Sequence, residues 1–178
     1  AGVPLQVNFL RRFDPLHQRV AAEVRGRVLH ADFRYSGTLE NSGSHAIDLF
    51  RWFVGEPVEV AADEAVVRLA TGDGRRGTLV RIDGTTSPFF DCDLWLDDRR
   101  CALTAFGEQL LVAELQDSSL FPDLRRWQFG APEAELGLEQ AMAAGLDALL
   151  DHLERETPLP CDGADGLAEL RVREAAAQ

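Results

Sequence analysis

The chain has 178 residues, of which 46% are hydrophobic and 27% are charged, enough for one ordinary globular domain with its own core. This composition excludes a disordered chain, a collagen and a small disulfide-stapled protein. The 30 acidic and 18 basic residues give a formal net charge of -12, and every basic residue is an arginine. Without lysine, no side chain of this chain can form a Schiff base.

The charge and cysteine patterns limit the possible partners. The acidic excess and the scattered arginines argue against nucleic-acid binding, because neutralising phosphates requires a basic patch. No stretch approaches the roughly 18 uninterrupted apolar residues of a membrane span, and residues 1–10 lack the layout of a signal peptide. Cys92, Cys101 and Cys161 form no CxxC pattern, which predicts neither a zinc site nor a disulfide framework. We therefore expect no metal, no membrane contact and a cytoplasmic location.

The first third of the chain is predicted to contain a strand, a helix, a second strand and a second helix. Apolar and polar residues alternate over residues 5–9, as in a half-buried strand. Asp14 and Pro15 suit the N-cap and first residue of a helix that ends near Gly26. Alternation returns over residues 27–35. A loop rich in serine and glycine then leads to a helix over residues 44–54 that is apolar on nearly every side, so we expect it to be buried.

The remainder of the chain is predicted to form a sheet followed by two helices. Helical spacing, including Leu136, predicts a helix over residues 133–156, and a last helix follows over residues 165–177. No linker or repeat divides the chain, so we predict one α+β domain over residues 1–178, an antiparallel sheet with helices on one face. Short turns join six strand-like runs, which favours antiparallel neighbours: residues 58–62, 65–70, 77–83, 89–96, 99–105 and 109–115.

One polar cluster lies at the start of the most apolar helix. If the first turn includes the preceding loop, Asn41 and His45 are at i and i+4, and His45 and Asp48 at i and i+3, on one helix face. A histidine held between two polar partners can titrate near neutrality and transfer a proton. The cluster is therefore a candidate acid/base site.

A purely structural interpretation of the same residues is also open. Ser42 or Ser44 can serve as a helix cap. His45 can be a buried polar residue with satisfied hydrogen bonds, while Asp48 pairs with Arg51. Residue chemistry alone does not identify a reaction.

No other motif indicates catalysis or nucleotide binding. Gly72-Asp73-Gly74 lies between two strand patterns and opens no helix, so it predicts a hairpin rather than a phosphate loop. Arg12, Arg34 and Tyr35 end strands beside the loop that carries the polar cluster, so each is a candidate substrate contact. Surface ion pairing is the commoner role of an arginine.

Two motifs in this order resemble a known family. Residues 7–15 read VNFLRRFDP, and residues 43–58 read GSHAIDLFRWFVGEPV. The sequence resembles the C-terminal domain of the glucose-fructose oxidoreductase, inositol dehydrogenase and rhizopine catabolism protein (Gfo/Idh/MocA) superfamily. The resemblance is firm over residues 4–62, loose through the following strands, and returns in the two closing helical segments.

The resemblance implies a fold and a partner domain. The implied fold is a large, mostly antiparallel sheet with helices packed on one face, like the C-terminal domain of dihydrodipicolinate reductase, with the other face forming a homo-oligomer. In the family, a Rossmann domain that binds NAD or NADP and a Glu-Lys-Pro motif precede this domain. The start of the chain resembles the stretch after that motif, so we expect the Rossmann domain and the cofactor-binding residues to lie outside this chain.

The resemblance also implies a reaction and its residues. Family members with a Gly-x-x-x-Asp-x-x-x-His motif use its histidine as the acid/base in hydride transfer from a sugar, cyclitol or related hydroxyl compound. His45 matches that histidine, Asn41 occupies the aspartate position, and Arg12 matches an arginine facing the cleft. An asparagine can orient an imidazole but brings no charge to stabilise the imidazolium. The alternative is therefore a non-catalytic binding or dimerisation module of the same fold.

Overall fold

The computed structural model describes residues 3–134 and 137–178, so the predicted helix position Leu136 lies outside the described residues. Asp14 and Pro15 start the first helix as predicted, since the Asp14 carboxylate accepts the backbone N–H of His17 at 3.2 Å. The last helix begins with a capping box between Asp162 and Asp165. The described residues contain α1 (Pro15–Val24), α2 (Ser44–Phe53), α3 (Gly137–Arg155) and α4 (Gly163–Ala176).

The strands form one sheet with the order β2-β3-β4-β1-β5-β6-β7-β8, and a two-residue strand, β9, pairs with β7. Every pairing is antiparallel except that of β1 with β4, which is parallel. The described strands are β1 (His30–Tyr35), β2 (Pro57–Ala62), β3 (Val66–Thr71), β4 (Arg76–Arg81), β5 (Phe90–Trp95), β6 (Arg99–Thr104), β7 (Gln109–Asp117), β8 (Arg125–Phe129) and β9 (Glu133–Ala134).

Three predictions about individual strands differ from the observed sheet. The short connection between β4 and β5 predicted neighbours, but β1 lies between them, because the early strand enters the middle of the sheet. Residues 5–9 form only an isolated bridge, from Gln6 to Asp162. Strand β8 lies in a stretch without a regular pattern. Its residues are exposed on both faces except for the half-buried Trp127, so no apolar alternation marks it.

The helices pack on one face of the sheet and enclose the core. Ala31, Phe33 and Tyr35 of β1 face the helices and are buried. Helix α2 is deepest, with eight of its ten residues buried. A Cβ at Gly77 of β4 would lie 2.7 Å from the ring of Phe50, so this glycine lets α2 lie directly on the sheet. Within residues 3–134 and 137–178, no helix is both long and apolar enough to cross a membrane.

Candidate active site

A cleft of about 330 Å³ opens beside the start of α2. His45 and Asn41, the two predicted catalytic residues, both line it. The cleft brings together segments that are distant in sequence: the turn before α1, the start of α2, the start of β5 and the turn after β6. The other lining residues are Leu10, Arg11, Ser42, Pro88, Phe90, Phe106 and Leu138.

His45 is the second residue of α2, and its ring packs edge-on against Phe9 with 5.5 Å between the ring centroids. Its Nδ1 is buried and has no hydrogen-bond partner in the described parts of the chain. Burial, together with the positive charge of Arg11, lowers the pKa of His45 to about 4. The imidazole is therefore neutral at neutral pH, with one nitrogen able to donate and the other able to accept a hydrogen bond.

Asn41 lies in a single π-helical turn, Leu39–Gly43, that leads directly into α2. Its backbone N–H donates to Thr38 Oγ1 at 3.3 Å, and its carbonyl oxygen accepts from Ser44 Oγ at 2.5 Å. Thr38 therefore caps this π-helical turn, and the predicted side-chain cap of α2 at Ser42 or Ser44 is not formed among the described residues. The structure brings Asn41 to the same cleft as His45, but Nδ1 of His45 receives no hydrogen bond from the described residues.

Arg11 also lines the cleft, although no pattern in the sequence marks it as a site residue. Its side chain is 5% exposed, its Nη2 donates to the carbonyl oxygen of Phe106 at 3.0 Å, and its guanidinium lies 3.9 Å from the ring centroid of Phe90. Its Nε is buried without an acceptor among the described residues. Burial is the main cause that lowers the pKa of Arg11 to about 10. The only signal in the sequence was its position beside Arg12.

A backbone turn after β6 closes one side of the cleft. Ala105, Phe106 and Gly107 all have positive φ angles, of 51°, 67° and 91°, and such strain in non-glycine residues is often found at functional sites. A Cβ at Gly107 would lie 2.8 Å from Cε1 of the buried His17. His17 is itself hydrogen bonded through Nδ1 to Asp14. The turn is thus held against a buried polar pair and directs the Phe106 carbonyl to Arg11.

Arg12, a predicted substrate contact, forms a buried ion pair. Its Nε and Nη2 donate to the two carboxylate oxygens of Asp48 at 2.9 and 2.8 Å, and Asp165 lies 3.6 Å from Nη2. Burial is the largest single influence and lowers the pKa of the guanidinium, but the hydrogen bonds to Asp48 and the charges of Asp48 and Asp165 together outweigh it, so the pKa is raised. Arg51 is the partner expected for Asp48, and its Nη1 lies 3.9 Å from Oδ1 of Asp48. Arg12 therefore joins the turn before α1 to α2.

The other two predicted substrate contacts lie on opposite faces of β1. Arg34 points away from the helices, is exposed, and donates to Asp93 at 2.7 Å. Tyr35 points towards the helices and is 2% exposed, and burial raises the pKa of its phenol. The structure brings His45 and Asn41 together in the cleft, whereas Arg12, Arg34 and Tyr35 lie outside the set of residues that line it.

Comparisons with known proteins find similarity in structure and not in sequence. The sequence matches no protein-family model, and no curated protein has a significantly similar sequence. UDP-N-acetylglucosamine 3-dehydrogenase GnnA from Acidithiobacillus ferrooxidans is 18% identical, with a TM-score of 0.71 over 97% of this chain and 61% of that chain. The WlbA dehydrogenase from Bordetella pertussis, in complex with NADH and UDP-GlcNAcA, is 18% identical, with a TM-score of 0.69 over 99% and 62%.

A third structure, levoglucosan dehydrogenase in complex with NADH and levoglucosan, is 14% identical, with a TM-score of 0.71 over 98% of this chain and 64% of that chain. The chain thus spans about three fifths of the length of the solved structures it matches. These matches confirm the α+β fold expected from the resemblance. The chain has the fold of the C-terminal domain of Gfo/Idh/MocA-type oxidoreductases.

Proposed function

We propose that this chain is the substrate-binding domain of an NAD(P)-dependent oxidoreductase that acts on a sugar, cyclitol or related hydroxyl or carbonyl compound by hydride transfer. The observation that carries the proposal is the neutral His45 in a cleft at the start of the most buried helix of an oxidoreductase fold. The NADH complexes of WlbA and levoglucosan dehydrogenase, with UDP-GlcNAcA and levoglucosan respectively, support this choice of cofactor and substrate class.

In the proposed mechanism His45 is the acid/base. Its neutral imidazole accepts the proton of the substrate hydroxyl as that carbon is oxidised, and returns it when the reaction runs in reverse. The side chains of Leu10, Phe90 and Phe106 give the cleft an apolar wall, which limits the access of water and strengthens the electrostatic interactions inside. Asn41 supplies a neutral hydrogen-bonding group beside His45.

The described residues fit a nicotinamide cofactor in their chemistry. A neutral base next to an apolar wall suits a site in which an alcohol loses both a proton and a hydride, and NAD or NADP accepts the hydride when bound. The wall formed by Leu10 and Phe106 would contact its ring. We propose that a separate Rossmann domain of the same protein holds most of the cofactor, since the matched oxidoreductases are longer than this chain.

We propose that Arg12 is a positioning residue. Arg12 follows Arg11 directly, and Asp48 lies one helical turn after His45. The buried Arg12–Asp48 pair therefore holds the segment carrying Arg11 against the helix carrying His45. Direct substrate contacts by Arg34 and Tyr35 stay predictions.

The test is a comparison of His45 variants in the full-length protein, screened with NAD and NADP against sugars, cyclitols and their acids. We expect His45→Ala to lower kcat by about 100-fold or more, in the range of lost acid/base catalysis. The control is His152→Gln, which changes a half-buried histidine of α3 that lies outside the cleft and should leave kcat unchanged. Full turnover by His45→Ala would remove His45 from the mechanism.

A second function is favoured by the buried Nδ1 of His45, which has no hydrogen-bond partner among residues 3–134 and 137–178. Without a carboxylate to orient and stabilise the imidazolium, the domain would serve as a non-catalytic binding or dimerisation module. This alternative predicts that the full-length protein binds a sugar derivative while showing no NAD(P)-dependent turnover with any compound it binds. Turnover that depends on His45 would exclude it.

A further inference from the structure

We propose that the cleft beside His45 is built for an anionic substrate, a hydroxyl compound whose carboxylate or phosphate group pairs with the guanidinium of Arg11. This inference rests on the proposed function for the reaction at His45, while the anion site itself stands on the environment of Arg11. It assigns to this residue the role of selecting charged over neutral substrates.

Among the described residues no carboxylate forms a direct ion pair with Arg11, and the charge of Asp14 acts on it only from a greater distance. Three arginines are buried in the described residues, Arg11, Arg12 and Arg51, with 5%, 7% and 8% of their surface exposed. Arg12 pairs with Asp48 at 2.8 Å and Arg51 with Glu56 at 2.6 Å. For Arg11, no carboxylate oxygen of the described chain lies within 4 Å, and its contacts are the Phe106 carbonyl and two aromatic rings.

An unpaired charge at such depth costs folding free energy. Buried charges in proteins are normally paired or hydrogen bonded at every polar atom. Within the described parts of the chain Arg11 meets neither condition, because it has no direct ion-pair partner and its buried Nε has no acceptor. Since Arg11 lines an open cleft, an oxyanion bound there can supply the missing charge partner, and carboxylate and phosphate are the groups that a guanidinium binds most strongly.

The cleft has the size and surroundings that make such a pair effective. Its volume of about 330 Å³ is at the small end of the range for small-molecule sites. Leu10, Phe90, Phe106 and Leu138 line it with apolar surface. A charge-assisted hydrogen bond is stronger where water is excluded, so the cleft should favour an anion over a neutral compound of the same size.

The charge of the substrate should also affect the basicity of His45, because Arg11 interacts with both. The positive charge of Arg11 disfavours the imidazolium form of His45. An anion that neutralises Arg11 would remove this repulsion, so the pKa of His45 should rise when the anionic substrate is in place. A neutral substrate would leave His45 a weaker base.

The experiment is a binding titration on the full-length protein, without cofactor and without turnover. The probes are glucuronate, glucose 6-phosphate, methyl glucoside and inorganic phosphate at constant ionic strength, followed through the NMR signal of the His45 ring. We expect one sugar anion to bind at least ~10-fold more tightly than methyl glucoside. The first two probes distinguish a carboxylate from a phosphate site, and inorganic phosphate tests whether the anion alone suffices.

Three variants make the result specific to Arg11. Arg11→Gln should abolish the preference for anions, and Arg11→Lys, which keeps the charge without the fork, should retain part of it. Arg171→Gln removes the same charge from an exposed position of α4 and should bind like the wild type. Circular dichroism verifies that each variant is folded.

Two results would overturn the proposal: no saturable binding of any anion, or an unchanged preference in folded Arg11→Gln. Because the measurement needs no nicotinamide, either result would leave the proposed oxidoreductase function standing. Conversely, anion binding through Arg11 together with full turnover by His45→Ala would overturn the mechanism and retain the anion site.

Discussion

Adjacent arginines at the start of the chain have different environments. Arg12 donates two hydrogen bonds to Asp48, whereas Arg11 lines the cleft with its charge unpaired by the described carboxylates. The sequence places them side by side in one motif, and neither composition nor spacing separates their roles. The resemblance favoured Arg12 as the residue facing the cleft. The position of Asp48 on α2 determines which of the two arginines forms an ion pair.

At the residue scale, we predict that His45 titrates far below an ordinary histidine. NMR titration of the four histidine rings should give a pKa of about 4 for His45, with His45→Gln identifying its signal. Arg11→Gln should raise this pKa, because a repelling charge is removed, but not to the ordinary ~6.5, since burial is the larger cause. An unchanged value in Arg11→Gln would contradict the electrostatic link.

This titration also predicts how stability depends on pH. The folded-state pKa of His45 lies below the unfolded value of ~6.5, so the unfolded state binds more protons between those values. The contribution of neutral His45 to stability is therefore complete above pH ~6.5 and is lost as the pH falls towards 4. The Tm of His45→Gln should fall less than that of the wild type over this range.

At the scale of elements, helix α2 was the most predictable part of the chain. An apolar stretch with few charges predicts a helix buried on several sides, and α2 (Ser44–Phe53) has eight buried residues of ten. The segment that leads into α2 was not predictable, because a π-helical turn over Leu39–Gly43 replaces the expected loop. Strand β8 was missed because a strand exposed on both faces carries no apolar alternation.

We predict that the buried Arg12–Asp48 pair is the principal polar tie between α2 and the segment before α1. Asp48→Asn should lower the free energy of unfolding by about 3 kcal/mol, because it leaves the buried guanidinium of Arg12 with only the more distant carboxylate of Asp165, at 3.6 Å. Urea denaturation measures this change. The control is Asp151→Asn, which breaks the exposed pair with Arg155 and should cost about 0.5 kcal/mol or less. Equal effects of the two variants would contradict the assignment.

At the scale of the whole molecule, the sheet has one face covered by helices and one face without them. The uncovered face carries an aromatic patch, consisting of Trp95, Arg100, Trp127 and Phe129. The rings of Trp95 and Trp127 meet edge to face at 6.4 Å between centroids, and Arg100 lies 4.3 Å from the Trp95 centroid and 5.1 Å from that of Phe129. We propose that a second copy of the chain covers this patch.

This assembly predicts a change of mass in solution. Sedimentation should show a homo-oligomer for the wild type and a monomer for Trp127→Glu, because burying an unpaired carboxylate in the interface is unfavourable. The matched variant Leu146→Glu places the same charge on the exposed apolar surface of α3 and should sediment like the wild type. A monomeric wild type, or a Trp127→Glu variant that still associates, would contradict the proposal.

The sequence by itself determined the order of helices and most strands, the burial of α2, and the resemblance from which the fold followed. These properties depend on local periodicity and capping, which neighbouring residues encode. Only the tertiary structure decided that β1 lies between β4 and β5, that Arg34 and Tyr35 lie on opposite faces, and that Arg11 shares the cleft with His45. These properties depend on contacts between segments that are distant in sequence. Such contacts exist only in the folded chain, so local patterns do not encode them.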